Sequence, residues 1–245
     1  MENKKQSGEG ASVAHAIKTR AKKYPRLYVA LHRIFAPSFG LLGAPSLRSL
    51  AEGIFKKNAE AKIANIGSGV ERVHPRVVNV DIFPLPGVDI VARAESLPFK
   101  DASLDGIFLS EVLEHILDTA EAVREIRRAL QSGGLVYIRV PFLYPFHESP
   151  GDFYRWTLSG LRYLFTGFEE IKSGAAGGPF ALLQAALMHI MGMLFSFGSE
   201  RLYFFMTHIG MVLFSPLKLF DILLYPFRRF LPDAATDLYI LFRKK

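Results

Sequence analysis

Five short apolar runs, each closing on a loop of polar or glycine-rich residues, constrain this chain more than any other feature. Lys62–Ile66 closes on Gly67-Ser68-Gly69, and Arg76–Ile82 carries Asp81 near its end. Val88–Ala92 runs into Glu95-Ser96-Leu97-Pro98-Phe99, and Leu104–Leu109 into Ser110-Glu111-Val112-Leu113-Glu114-His115. Leu135–Val140 follows Gly133-Gly134 and ends at Pro141. Runs this short and this apolar suit strands buried on both faces. Between the fourth and fifth runs, 118–131 reads as a helix with Ala122, Val123, Ile126, Ala129 and Leu130 on one face. Such alternation predicts an α/β fold with a mostly parallel sheet covered on both sides.

Further on, 157–166 reads as another helix, with Thr157 or Ser159 near its N-cap. Phe168–Lys172 is expected as a sixth strand and Leu238–Phe242 as the last. One connection is unusual. Only nine residues separate Ile66 from Arg76, whereas a parallel crossover normally takes about a dozen or more, with a helix. The first crossover is therefore expected to be reduced to a turn, which Pro75 favours.

In open α/β sheets, ligands sit at the C-terminal strand ends, so the loops carry the chemistry. Glycines at 67 and 69 let backbone approach a ligand closely, or simply make a turn. Asp81 can accept hydrogen bonds from both hydroxyls of a ribose, or cap the turn before Phe83-Pro84. Together and in this order, Asn65–Gly69, Val78–Asp81, Glu95–Phe99, Glu111–His115 and Gly133–Leu135 resemble the class I S-adenosylmethionine-dependent methyltransferases, of methyltransferase type 11. The resemblance implies a Rossmann-like seven-stranded sheet and S-adenosylmethionine as cofactor. It implies cofactor contacts at Asn65, Gly67, Ser68, Gly69, Asp81, Ile82, Ala94, Glu95 and Ser110. Where the family usually carries an adenine-binding Asp, this chain has Arg93, and arginine offers no acceptor. Adenine is then left to backbone at Ala94, to Glu95 or to apolar stacking.

His115 is a candidate general base, since a neutral imidazole takes a proton from a hydroxyl near neutral pH; it could equally cap the following helix. The words Glu111-Val112-Leu113-Glu114-His115 are similar to those of quinone-type methyltransferases. On a helix, Glu111, Glu114 and His115 would share a face. Small-RNA 2′-O-methyltransferases of this fold bind a divalent metal through a similar set, with a further histidine for which His147 would serve. Whether a metal is used here stays open. The stretch Pro141–Trp156 is too polar and too interrupted by Pro and Gly for a core element. It resembles the Asp-x-Tyr-Arg loop of methyltransferases from polysaccharide and glycolipid pathways. The candidate catalytic set is therefore His115, His147 and Glu111, and the candidate acceptor-binding set is Asp152, Tyr154, Arg155 and Trp156. An Asp152–Arg155 salt bridge pinning the loop is compatible with that role.

Charge and hydropathy then bear on the acceptor. The chain has no Cys, which excludes disulfides, thiol catalysis and Cys-ligated zinc. Residues 1–62 hold twelve Lys/Arg against four Asp/Glu. Within them, 13–36 reads as a basic amphipathic helix or two, broken at Pro25, with Leu27, Leu31, Ile34 and Phe35 at helical spacing. Such a segment can lie on an anionic membrane or pack as a lid. By contrast, residues 173–199 contain no charged residue, and Leu202–Leu217 is a second uncharged run. If both flanking strands belong to one sheet, the chain must return to the same side of any membrane. A single crossing is thus excluded. A helical hairpin lying in one leaflet is favoured over two short spans, and a soluble homodimer would bury the same surface.

The expected organisation is a disordered tail at 1–12, basic helices at 13–60, a core at 61–178, the hydrophobic insertion at 179–232 and the last strand at 233–245. The expected function is methyl transfer to a small-molecule or lipid-linked oxygen at the cytoplasmic face of a membrane, with membrane lipids as partners and nucleic acid not expected among them. The other readings are a non-catalytic scaffold on the same fold and a metal-dependent RNA methyltransferase.

Overall fold

The computed structural model describes residues 24–38, 42–147 and 151–245. The expectations for 1–12, and for the part of the basic amphipathic helix at 13–23, lie outside the described residues.

Seven strands form one sheet in the order β3-β2-β1-β4-β5-β7-β6. They are β1 (Ile63–Ile66), β2 (Val78–Asp81), β3 (Ile90–Val91), β4 (Leu104–Ser110), β5 (Leu130–Pro141), β6 (Phe168–Gly177) and β7 (Asp237–Lys244). The first five are parallel, and β7 runs antiparallel to both β5 and β6. The strand order reverses between β1 and β4, which creates a crevice at their C-terminal ends. As expected, the connection from β1 to β2 is only turns: Gly67–Val77 holds no helix. Two strands are longer than the apolar runs predict. β5 already begins at Leu130, pairing it with Leu104, and β6 continues through Gly177 along β7. Both extensions pass through small or polar residues whose backbone pairs with a neighbouring strand, a signal that hydropathy does not carry.

Each face of the sheet is covered. Ala64, Ile107, Ile138 and Ile240 pack against Ala122 and Ile126 of α3 (Thr119–Ala129) and Leu161 of α4 (Leu158–Leu164). Asp118 caps α3, its side chain accepting from the Glu121 N–H, and Thr157 caps α4 through the Gly160 N–H. On the other face Ile63, Phe108, Tyr137 and Tyr239 pack against Ala51 and Ile54 of α2 (Leu47–Lys57). Phe108, Phe165 and Phe242 are fully buried, and burying each such side chain contributes roughly 1.5–3 kcal/mol.

Between β6 and β7 stand α5 (Pro179–Phe195), α6 (Glu200–Phe214) and a long 3-10 segment, Ser215–Phe227. The two helices form an antiparallel pair held close by glycine. A Cβ on Gly192 would lie 2.2 Å from Thr207 Oγ1, and one on Gly210 would lie 2.9 Å from the Met188 Cα. Three buried polar side chains tie this insertion to the rest of the chain. Asp221 accepts hydrogen bonds from the N–H groups of Gly178, Phe180 and Ala181, capping α5 from a distance. Lys218 donates to the carbonyls of Arg33 and Ala36, at the C-terminal end of α1 (Pro25–Phe35). Gln184 donates to the carbonyls of Phe35 and Met211. Pro25, expected to break the N-terminal helix, occupies the first turn of α1, where its missing N–H costs nothing. Thus α1 and the insertion pack together over the C-terminal edge of the sheet.

Candidate active site

The loop after β1 turns on Gly67 and Gly69, at φ +64° and +56°. At Gly67 the need for glycine is also spatial, because a Cβ would sit 2.4 Å from Val112 Cγ2. Asp81, buried at the end of β2, accepts from the Gly69 N–H at 2.8 Å and from the Phe83 N–H at 2.9 Å. One carboxylate therefore joins the first two loops and retains a second lone pair on each oxygen. These loops bound a cavity of about 290 Å³ lined by Gly67, Gly69, Asp81, Ile82, Phe83, Ala94, Glu95, Val112 and Ile116, among others. Arg93 also lines it, but its guanidinium lies 2.6 Å from Glu95 Oε1. That pairing neutralises Glu95 and leaves the wall beside it mostly apolar. The lining suits a nucleoside: an acid at the strand end, glycine backbone opposite it, apolar side chains between.

Of the residues that the resemblance assigns to the cofactor, Gly67, Gly69, Asp81, Ile82, Ala94 and Glu95 share this cavity. Asn65, Ser68 and Ser110 do not. They line a separate small cavity on the α2 side, together with Glu71, Glu111 and Arg139, and Ser68 also borders a larger cavity. Residues alternate across a strand, so Asn65 faces the opposite side from Ile66.

A second cavity of about 530 Å³ shares Gly69, Glu111 and His115 with the first. Its other walls come from α1 (Tyr28, His32), the loop after β5 (Tyr144, Phe146, His147) and the insertion (Met188, His189, Tyr203, Phe204, Thr207, His208, Met211). Five of the chain's seven histidines border it. The contributions of α1 and the insertion are missing from the sequence-derived site. The signal that the sequence offers for them is His189 and His208, polar side chains standing inside the two uncharged runs. In the structure they are satisfied within the chain: His189 Nδ1 lies 2.7 Å from the Tyr203 hydroxyl, and His208 Nδ1 2.8 Å from the Phe204 carbonyl.

At the shared wall, Glu111 adopts φ +58°. A left-handed non-glycine residue at a strand end is a strained conformation, of a kind that clusters at functional sites. Its side chain is half-buried, and its shielded Oε1 lies 3.3 Å from Arg139 Nε. Burial pushes the Glu111 carboxyl up to about 7, against the pull of Arg139. The shared helical face expected for Glu111, Glu114 and His115 is absent. Only Leu113–His115 is helical, as one 3-10 turn, and the Glu111 backbone directs that side chain toward Arg139 instead.

Glu114 is fully buried, and neither of its carboxylate oxygens has a hydrogen-bond partner. His115 Nε2 and His147 Nε2 lie 3.5 and 3.7 Å from Glu114 Oε1. Both imidazoles are oriented through Nδ1, that of His115 against the Gly151 carbonyl and that of His147 against the Pro145 carbonyl. Burial lowers the His115 pKa and keeps it neutral at pH 7. Burial acts the same way on His147, but the Glu114 carboxylate and the Pro145 carbonyl outweigh it and raise its pKa.

The candidate acceptor-binding residues Asp152, Tyr154, Arg155 and Trp156 border neither large cavity. They brace the loop that does. Asp152 Oδ2 accepts from the His147 N–H at 2.9 Å and from Arg155 at 2.6 Å. Arg155 also donates to the carbonyls of Tyr144 and Pro145, and the Tyr154 hydroxyl donates to the Leu117 carbonyl. Trp156 packs on the core. The salt bridge foreseen between Asp152 and Arg155 exists, and its effect is to hold His147 at the cavity wall.

Residues 67–138 match the family described as "Methyltransferase domain". A Mycobacterium tuberculosis protein named "Probable S-adenosylmethionine-dependent methyltransferase Rv3030" is 39% identical over 67 residues, 27% of this chain and 24% of that protein. An uncharacterised 37.1 kDa protein in a Streptomyces fradiae transposon is 30% identical over 96 residues, 39% of this chain and 26% of its own length. The chain thus spans about a quarter of the length of the curated relatives it matches. The fold matches the crystal structure of the [4+2]-cyclase SpnF with a TM-score of 0.52 at 14% identity, covering 93% of this chain and 94% of that one. It also matches a Galdieria sulphuraria protein named for sarcosine dimethylglycine methyltransferase activity, with a TM-score of 0.51 at 16% identity, over 92% and 98% of the two chains. A fold that hosts a cyclase as well as methyltransferases does not by itself fix the reaction.

Proposed function

We propose that this chain, whose residues 67–138 form a class I S-adenosylmethionine-dependent methyltransferase domain, methylates an oxygen of an amphipathic acceptor at the cytoplasmic face of a membrane. The acceptor is lipid-linked, or a glycolipid or polysaccharide precursor. The observation that carries this reading is the wall common to the two cavities. A nucleoside-shaped cavity and a larger one meet at Gly69, Glu111 and His115. The larger one is walled by α1, α5 and α6, whose outer surfaces are apolar and exposed at Leu31, Ile190, Leu194, Phe205 and Leu213.

Asp81 and the backbone at Gly67 and Gly69 would hold the nucleoside of the cofactor, with apolar contact from Ile82 and Phe83 in place of an adenine-binding acid. When bound, the cofactor supplies an electrophilic methyl group. The chain's own part is to hold the acceptor in line and remove its proton. Glu111 and His115 line both cavities, and His147 flanks the larger one. A carboxyl held near 7 and a neutral imidazole are suited to accept a proton at physiological pH.

Several features support membrane association. Exposed apolar side chains continue from α5 and α6 into the 3-10 segment at Leu219, Ile222, Leu223 and Phe227. Glu200–Phe227 is long and apolar enough to cross a membrane by length and composition. Lys218 and Asp221 interrupt it, however, and both are engaged with protein backbone. These ties favour helices lying in one leaflet over full spans, with Arg228 and Arg229 at its headgroup edge. The deciding experiment is calorimetry of S-adenosylhomocysteine binding in detergent, followed by transfer of labelled methyl to a membrane lipid extract. Binding with label in the lipid fraction supports the reading; absence of binding ends it.

A further inference from the structure

We propose that a cavity at the C-terminal end of the insertion binds the phosphate monoester head of an anionic lipid. The cavity, of about 430 Å³, lies between β6, Tyr239 of β7 and the residues that follow the 3-10 segment. It shares no lining residue with the nucleoside cavity or with the larger cavity beside it. Its size falls within the roughly 300–1,000 Å³ of small-molecule sites. Lys172, Arg228 and Arg229 line it, and no carboxylate among the described residues does. None of the three has a carboxylate partner among the described residues either. Glu170, on the same strand as Lys172, is taken up by Arg162 and the Ser173 hydroxyl. Asp233 is exposed and does not line the cavity.

Aromatic rings, not acids, stand against these cations. Lys172 Nζ lies 5.9 Å from the Tyr239 ring centroid, and the guanidinium carbons of Arg228 and Arg229 lie 5.5 and 4.3 Å from those of Tyr225 and Phe230. A ring face orients a cation without neutralising it. A guanidinium over a ring keeps its edge N–H groups for an anion. The backbone of β6 places Lys172 among them. Glu170 pairs with Phe242 and Lys172 with Leu241, so Ile171 is an extra residue in the strand. Paired residues share a face of the sheet and successive residues alternate. Without the extra residue Lys172 would stand opposite Ile240, on the α3 face. With it, Lys172 joins Leu241 and Tyr239 on the α2 face. Glycine keeps the neighbouring space open. A Cβ on Gly174, which pairs with Tyr239, would lie 3.2 Å from that ring, and one on Gly43 would lie 3.3 Å from the Tyr225 ring.

The charge selects the ligand. A phosphate monoester carries about −1.5 to −2 charge at pH 7 and three strong acceptor oxygens. Three cations match that, two of them as guanidinium forks; a phosphodiester offers less charge and fewer free oxygens. The lipid assignment comes from what adjoins the cavity. The 3-10 segment that ends at Phe227, next to Arg228, exposes Leu219, Ile222, Leu223 and Phe227, and Phe230 follows. A phosphate in the cavity therefore has apolar side chains beside it for acyl chains, a surface that a soluble phosphate ester would leave bare. The source of the phosphate rests on the membrane reading; nothing in the site rests on Glu111 or His115.

The test is binding of the full chain to phosphatidylcholine vesicles carrying either phosphatidic acid or phosphatidylserine, matched for surface potential. Roughly tenfold tighter binding to phosphatidic acid is expected, the scale of one hydrogen bond to a charged group. Lys172→Gln and Arg228→Gln are each expected to lose most of that preference. Lys100→Gln, which removes the same charge from an exposed position outside the cavity, is expected to keep it. S-adenosylhomocysteine affinity serves as the check on folding, because neither Lys172 nor Arg228 lines the nucleoside cavity. Glycerol 3-phosphate, a phosphate monoester without acyl chains, is expected to bind weakly by calorimetry. Binding as tight as that to the vesicles assigns the cavity to a soluble phosphate ester and overturns the lipid assignment. Equal binding to the two kinds of vesicle, or a preference that Lys172→Gln retains, overturns the proposal and leaves the membrane reading standing. Absence of binding to either kind ends the membrane reading together with it.

Discussion

Glu111 and Arg139 meet across the C-terminal ends of β4 and β5, with carboxylate oxygen and guanidinium Nε 3.3 Å apart. Asp237 at the start of β7 lies 3.6 Å from the same guanidinium. One buried arginine thus stands between two carboxylates, and the Glu111 backbone is held at φ +58° beside it.

A pH dependence follows from this arrangement. With its pKa pushed up to about 7, Glu111 loses its proton as pH rises through neutrality, so methyl transfer that uses it as a base should climb with pH there. Glu111→Gln should flatten that limb and reduce the rate by about 10²–10⁴-fold. Stability should move the other way. The folded chain keeps a proton that the unfolded chain has already lost, so stability falls between pH 4.5 and about 7. Glu111→Gln should remove about 1–3 kcal/mol of that slope, as measured by urea unfolding at pH 5 and pH 8.

The nucleoside cavity gives a sharper test. Asp81→Ala removes the acceptor for the Gly69 and Phe83 N–H groups, so both loops lose their shared fixing point. S-adenosylhomocysteine affinity should fall by at least tenfold, which corresponds to about 1.4 kcal/mol. Gly67→Ala should be worse, because the new methyl meets Val112 Cγ2 at 2.4 Å. Overpacking of this kind costs about 1–3 kcal/mol, visible as a lower urea midpoint as well as weaker binding.

The loops of β1 to β4 were legible because their chemistry sits on backbone that must turn at a strand end: Gly67, Asp81 and Glu111 occupy positions set by sheet topology. Even the missing first crossover helix could be counted from nine residues. The acceptor cavity was not legible. Tyr28, His189, Tyr203 and His208 come together only because Gln184, Lys218 and Asp221 dock the insertion on α1, and such long-range polar ties leave no periodic trace. Asp152 and Arg155 were visible as a pair, but their bonds to the backbone of His147, Tyr144 and Pro145 make them braces, a distinction that depends on geometry.

That bracing is itself testable. Arg155→Met takes the guanidinium from the buried Asp152 carboxylate, leaving it only the His147 N–H, and frees the Tyr144 and Pro145 carbonyls. Breaking a buried ion pair from one side costs about 3 kcal/mol or more. Thermal unfolding should shift down accordingly. Binding of S-adenosylhomocysteine should survive, since Arg155 does not line the nucleoside cavity. If Arg155→Met instead changes only the apparent affinity for the acceptor, the residue touches the acceptor directly and the bracing role fails.

The exposed surface of the insertion yields the last expectation. Leu194, Phe205, Leu213 and Leu223 are all largely exposed, and none of them borders the larger cavity. Replacing Phe205 and Leu213 by Ser should therefore spare S-adenosylhomocysteine binding while releasing the chain from liposomes in a flotation assay. Arg228 and Arg229 stand at the end of the 3-10 segment, over the rings of Tyr225 and Phe230. A basic residue near an anionic surface contributes about 1 kcal/mol, so the double change to Gln should weaken binding roughly 30-fold on phosphatidylserine vesicles and little on neutral ones. High salt should mimic the Arg changes but not the Phe and Leu changes, because screening acts on exposed charge and leaves apolar burial intact. Equal flotation of all variants, together with a concentration-dependent dimer in solution that Phe205→Ser abolishes, would assign the apolar face to a second copy of the chain.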